Sequence, residues 1–151
     1  MQSPQHLRSL AFVDRELIEQ RSIRFTESRA ENDVKTMMSL LARHAVYTTP
    51  GDRTFLPCFG SHSGRDAILL FFQRFHVEYE IVRQQIQDVL VDGGRAAVQH
   101  SCALRHRGTG ILTNIEICDL IRFEDGLIVD VLSFMDTLAV AEALEPRSTA
   151  R

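Results

Sequence analysis

Tryptophan is absent from this chain of 151 residues, cysteine occurs three times, and no stretch approaches the length of apolar sequence that a membrane helix needs. A membrane span is therefore not expected. Cys58, Cys102 and Cys118 lie far apart and form no CxxC pair, which argues against both a disulfide framework and a zinc site. Excess charge is also missing. The 17 basic residues stand against 20 acidic ones, and they form no basic cluster of the kind that nucleic acid requires. No glycine-rich phosphate loop is present, since Gly108 and Gly110 read as a hairpin turn. His44, His62, His76 and His106 share no metal-ligand spacing, and His100 with Asp119 would supply only two ligands. The expectations are no metal, no cofactor, no nucleic acid and no membrane. The segment Met1–Arg8 lacks the apolar core of a signal peptide, so a cytoplasmic protein is expected.

What is present is a hydrophobic fraction of 44%, enough for one substantial core in a chain of this size. The expected organisation is an N-terminal extension over 1–13, one domain over 14–145 and a disordered tail over 146–151. Leu17, Ile18 and Phe25 give an amphipathic helix over 14–30, with the charged residues from Arg15 to Glu31 read as its solvated face. Val34, Met37, Met38 and Leu41 predict a second helix over 33–43 capped by Asn32. A short strand over 45–49 ends at Pro50. The loop beyond it carries Phe55, Cys58 and Phe59, apolar enough to fold over a cavity mouth or a partner. Ser63-Gly64-Arg65-Asp66 reads as a capping box that opens a third helix with Ile68, Phe71, Phe72 and Phe75 inward.

After His76 the period changes to two. Strands are predicted over 79–91 (with a phase slip near Gln85), 96–106, 111–123 and 127–135, with a short final helix over 136–144. Helices followed by a meander specify an α+β domain, with helices on one face of a curved antiparallel sheet. Two polar residues interrupt the apolar phases of the central strands. His100 shares its phase with Val98, Cys102 and Leu104, and Asp119 shares its phase with Ile115, Ile117 and Ile121. A register pairing Leu104 with Ile115 sets His100 opposite Asp119, within reach of each other. An ionised carboxylate in apolar surroundings is costly unless paired, so a displaced pKa is expected there. Cys102 reads as a small buried apolar residue, and the outward phase with Gln99, Glu116, Cys118 and Leu120 suits a moderately wet interface.

The order of elements, with "SGRDAILLFFQRF" at the third helix and "DLIRFEDGLIVDVLSFMD" across the last hairpin, resembles the NTF2-like superfamily over residues 14–144. It looks most like the SnoaL-like and ketosteroid-isomerase-like branch. The resemblance implies a cone-shaped α+β barrel, three N-terminal helices on the sheet around a hydrophobic pocket, and a homodimer packed through the convex sheet face. The steroid-isomerase pattern mostly breaks, because its base position falls on Thr49 and its tyrosine on Phe25, leaving Asp119. The limonene-epoxide-hydrolase pattern breaks at His100, Cys102 and Ser133. The His and Asp of the SnoaL cyclases match His100 and Asp119 in residue type.

Two functions are compatible with these features. One is cofactor-free acid/base chemistry, of isomerase, cyclase or dehydratase type, on a small apolar carbonyl compound. In it Asp119 serves as base or as a protonated donor, and His100 relays the proton. The other is a non-catalytic ligand-binding or dimerisation module. The expected pocket lining is Phe25, Tyr47, Thr49, Phe72, Val98, Cys102, Ile117, Ser133 and Met135.

Overall fold

The computed structural model describes residues 4–51 and 59–144, with side chains from 14 to 51 and from 59 to 143. Helix α1 (Pro4–Glu31) and helix α2 (Val34–Leu40) lead into strand β1 (Leu41–Thr49). Strand β2 (Gly60–Ser63) and helix α3 (Arg65–Glu78) follow. The meander is β3 (Tyr79–Asp92), β4 (Arg95–His106), β5 (Leu112–Glu124) and β6 (Leu127–Met135), and α4 (Thr137–Leu144) closes the described chain. No described helix is long and apolar enough to cross a membrane.

Several boundaries differ from the sequence reading for identifiable reasons. Helix α1 runs back to Pro4, into the expected N-terminal extension. Helix α2 is shorter than predicted: Asp33 caps it through Thr36 N–H, and Leu41 is already extended. Asn32, the expected cap, instead takes the left-handed conformation between the helices, with φ of 55°. Ser63 makes no capping box, because Gly64 occupies the cap position of α3 and no side chain bonds there. Of the apolar loop, Phe55 and Cys58 lie outside the described residues. Phe59 is buried in a cluster with Tyr79, Cys102, Leu104, Ile115 and Val140.

The six strands form one sheet in the order β2-β1-β6-β5-β4-β3. The meander is antiparallel throughout, while β1 joins β6 in parallel, so the sheet is mixed. The slip anticipated near Gln85 is resolved as two irregularities flanking it, between Ile81 and Arg83 and between Ile86 and Asp88. Such irregularities increase local twist. The main core gathers Ile18 and Phe25 of α1, Ile68 and Phe72 of α3, and the inward residues Val98, Ile121 and Val131 of the sheet.

The register between β4 and β5 differs from the predicted one by two residues. Val98 lies opposite Asp119 and His100 opposite Ile117. A slip of two preserves the face on which every side chain stands, whereas a slip of one would reverse it. His100 and Asp119 therefore both remain inward and are almost fully buried.

Candidate active site

The site grows from one helix and three strands. On α1 the buried positions Ile18, Ser22, Phe25, Thr26 and Arg29 follow helical spacing, and Arg29 ends that stripe in the last turn of the helix. Buried hydroxyls in this stripe are satisfied locally: Ser22 Oγ donates to the Ile18 carbonyl at 2.7 Å and Thr26 Oγ1 to the Ser22 carbonyl at 3.0 Å. His76 of α3 reaches the Arg29 carbonyl through Nε2 at 2.7 Å, tying the end of α1 to α3.

Arg29 is 6% exposed, and its guanidinium crosses the interior to the sheet. Nη2 donates to Asp119 Oδ2, and Nη1 donates to the Tyr47 hydroxyl at 2.9 Å. Its Cζ lies 4.7 Å from the centroid of the Phe25 ring, a cation–π contact. His100 Nε2 lies 2.9 Å from the same Asp119 oxygen. One carboxylate oxygen thus gathers a guanidinium and an imidazole. The other, Oδ1, has no hydrogen-bond partner among the described residues.

The electrostatics correct one expectation. Burial pushes the Asp119 carboxyl up, but the Arg29 charge, together with hydrogen bonds from His100 and Arg29, outweighs it and holds Asp119 well below the usual carboxylate range. Asp119 is therefore ionised, and it does not serve as the protonated donor that an unpaired carboxyl in an apolar setting would become. Burial acts to lower the Arg29 pKa, but Asp119 overrides it and the net direction is upward. Burial raises the Tyr47 hydroxyl despite the nearby Arg29 charge, so the phenol stays protonated.

An ionised Asp119 can only accept, so His100 donates through Nε2 and, in the neutral ring, leaves Nδ1 as an acceptor. That nitrogen faces Gln84 Nε2 at 3.5 Å and Cys102 Sγ at 3.9 Å. Beside it lies a cavity of about 70 Å³ with a predominantly apolar lining that includes Arg29, Tyr47, Phe72, Gln84, His100 and Cys102. This is about half the 150 Å³ of an engineered apolar cavity that holds benzene, which limits an occupant of the present cavity to a few heavy atoms.

The expected lining residues divide into two groups. Tyr47, Phe72, Cys102, Ile117, Ser133 and Met135 border the cavity. Phe25, Thr49 and Val98 are not among its lining residues: Phe25 and Val98 are packed in the main core, and Thr49 is buried on β1. Asp119 also stands behind the lining, screened from the cavity by His100 and Arg29. Arg29 corrects the reading of residues 15–31 as a solvated face. Its signal was spacing: Arg29 falls four residues after Phe25 and seven after Ser22, on the stripe that faces the sheet. Among the described residues, no group of three or more His, Cys, Asp or Glu could hold a metal ion.

A family model for the SnoaL-like domain matches residues 23–131, which includes Arg29, Tyr47, His100 and Asp119. No curated protein matches the chain in sequence. Among solved structures, an NTF2-like protein from Burkholderia thailandensis superposes with a TM-score of 0.76 at 23% identity, covering 85% of this chain and 98% of its own. Bal32a, from a soil-derived mobile gene cassette, gives a TM-score of 0.74 at 25% identity, with coverage of 87% and 99%. An LEH-like epoxide hydrolase from M. tuberculosis gives a TM-score of 0.70 at 16% identity, with coverage of 85% and 90%. At this level the likeness shows a shared fold.

Proposed function

Because the chain belongs to the family of SnoaL-like domains, a fold built around an interior pocket, we propose that it catalyses cofactor-free proton transfer on a small apolar carbonyl compound. The observation that carries this reading is the orientation of His100: its Nε2 is held by an ionised carboxylate while its Nδ1 is turned the other way, toward Gln84 and Cys102 of the cavity wall. A carboxylate behind an imidazole fixes the tautomer and supports the positive charge that develops when the ring takes a proton. His100 is then the base that removes a proton beside the carbonyl. Asp119 acts as a positioning residue, since it does not reach the cavity. Tyr47 and Arg29, both at the cavity wall, are the donors placed to receive the developing enolate oxygen.

The test is hydrogen–deuterium exchange at the α-carbon of acetone and butanone in heavy water, followed by NMR. The wild type accelerates the exchange and His100→Gln does not. Equal rates with and without protein overturn the catalytic reading. Ligand-induced thermal stabilisation without exchange would favour a non-catalytic binding module instead. The observation behind that second reading is the saturation of Asp119 Oδ2 by Arg29 and His100, an arrangement that also serves as structural pairing.

The outer face of the sheet supports a homodimer. Leu90, Leu120 and Phe134 are large apolar residues exposed on that face, and Leu90 and Phe134 border a groove with Gln99, Glu116 and Cys118. Exposed apolar side chains bordered by polar ones, Asp88 and Glu116 among them, suit the core and rim of a protein interface.

A further inference from the structure

Cys102 is left without a role in proton transfer, and its surroundings are specific. It stands two residues from His100 on β4, so both side chains share the inward face and both border the cavity. Its Sγ lies 3.9 Å from His100 Nδ1, the nitrogen that the Asp119 contact leaves unprotonated in the neutral ring. Gln84, on the neighbouring strand β3 and directly opposite Cys102, aims its amide Nε2 at the sulfur from 3.8 Å. Thiol, imidazole and carboxylate thus lie in a row. A nucleophile beside a base that is itself oriented by a third group is the arrangement that activates a nucleophile.

We propose that Cys102 is a nucleophile that adds to small α,β-unsaturated carbonyl compounds in the cavity, with His100 as its base. The step balances without a leaving group or a redox partner. His100 Nδ1 takes the thiol proton as the sulfur bonds to the β-carbon. The carbon–carbon π pair moves onto the carbonyl oxygen, where the Tyr47 and Arg29 donors receive it. The proton then passes from Nδ1 to the α-carbon, and the product is a saturated thioether carbonyl. The Gln84 amide stabilises the sulfur as negative charge develops on it. An addition suits a cavity of about 70 Å³, because the reacting molecule needs no room for a departing group. Burial pushes the resting thiol up, so Cys102 is protonated until a substrate and His100 act on it together. Cys118, the other described cysteine, stands on the outer face of the sheet, and the groove there contains no histidine.

The proposal uses the cavity and the His100 nitrogen of the preceding reading, but its test reads adduct mass, so the two fail separately. The full chain is treated with limiting methyl vinyl ketone, and adduct formation at each cysteine is followed by peptide mass spectrometry over time. Cys102 is expected to react ahead of Cys118, and His100→Gln is expected to slow Cys102 by about a hundredfold or more, the usual worth of a positioned base, while leaving Cys118 unchanged. The preference for Cys102 should vanish in urea, a control that needs no variant to fold. The proposal is overturned by a Cys102 rate no greater than that of Cys118, by a rate that survives His100→Gln in a folded protein, or by a preference that persists after unfolding.

Discussion

His100 Nε2 and Asp119 Oδ2 are 2.9 Å apart although the two residues do not face each other across the ladder; Asp119 lies opposite Val98 and His100 opposite Ile117. The contact is diagonal. A diagonal pair needs long side chains to close the gap, and an imidazole provides the reach. The third member, Arg29, arrives from α1, so the network ties helix to sheet at the cavity wall.

That tie should be costly to cut from one end. Arg29→Met leaves an ionised carboxylate buried without its main partner, and such a loss is worth about 3–5 kcal/mol. The double variant Arg29→Met with Asp119→Asn removes both charges and should recover part of the loss. Urea denaturation of the two single variants and the double variant checks this. Additive losses would mean that the pair contributes nothing as a pair.

The same pair sets the acid limb of stability. Asp119 has its pKa lowered on folding, so its contribution is fully present above the ordinary carboxylate value of ~4 and is lost as the pH falls toward the depressed folded value. The wild-type urea midpoint should therefore fall more steeply between pH 4 and 2.5 than that of Asp119→Asn. Parallel curves would contradict the pairing.

Thr49 provides a contrast within the same interior. Its side-chain oxygen is buried and lacks a hydrogen-bond partner among the described residues. Replacing a buried, unbonded hydroxyl with a methyl group of similar shape removes a polar group that pays no return. Thr49→Val should be within about 1 kcal/mol of the wild type, or more stable. A loss as large as that of Arg29→Met would reveal a bond that the geometry does not show.

Much of this architecture was legible because period-two and helical patterns leave little freedom. The phases of β4 and β5 placed His100 and Asp119 inward, and the turn at Asp125-Gly126, where both φ angles are positive, marked the last hairpin. The register was not legible, since a slip of two changes every partner and no face. Arg29 was hidden by its chemistry: a charge on a helix usually marks the wet side, and only the carboxylate across the interior makes this one tolerable when buried. The parallel contact of β1 with β6 depends on packing between distant segments, and no local pattern records it.

Assembly is the remaining prediction. Leu120 and Phe134 point away from the cavity and are nearly half exposed, at 45% and 46%. Their neighbours Asp119 and Ser133 point inward on the same strands, so a substitution at either exposed position changes the outer surface and leaves the Arg29, His100 and Asp119 contacts in place. If this face joins two copies, Leu120→Glu with Phe134→Glu sets like charges against each other across the twofold interface, where each patch meets its own copy. Sedimentation at micromolar concentration should give a dimer for the wild type and a folded monomer for the double variant. A wild type that sediments as a monomer would remove the interface, and it would leave the chemistry of the cavity untouched.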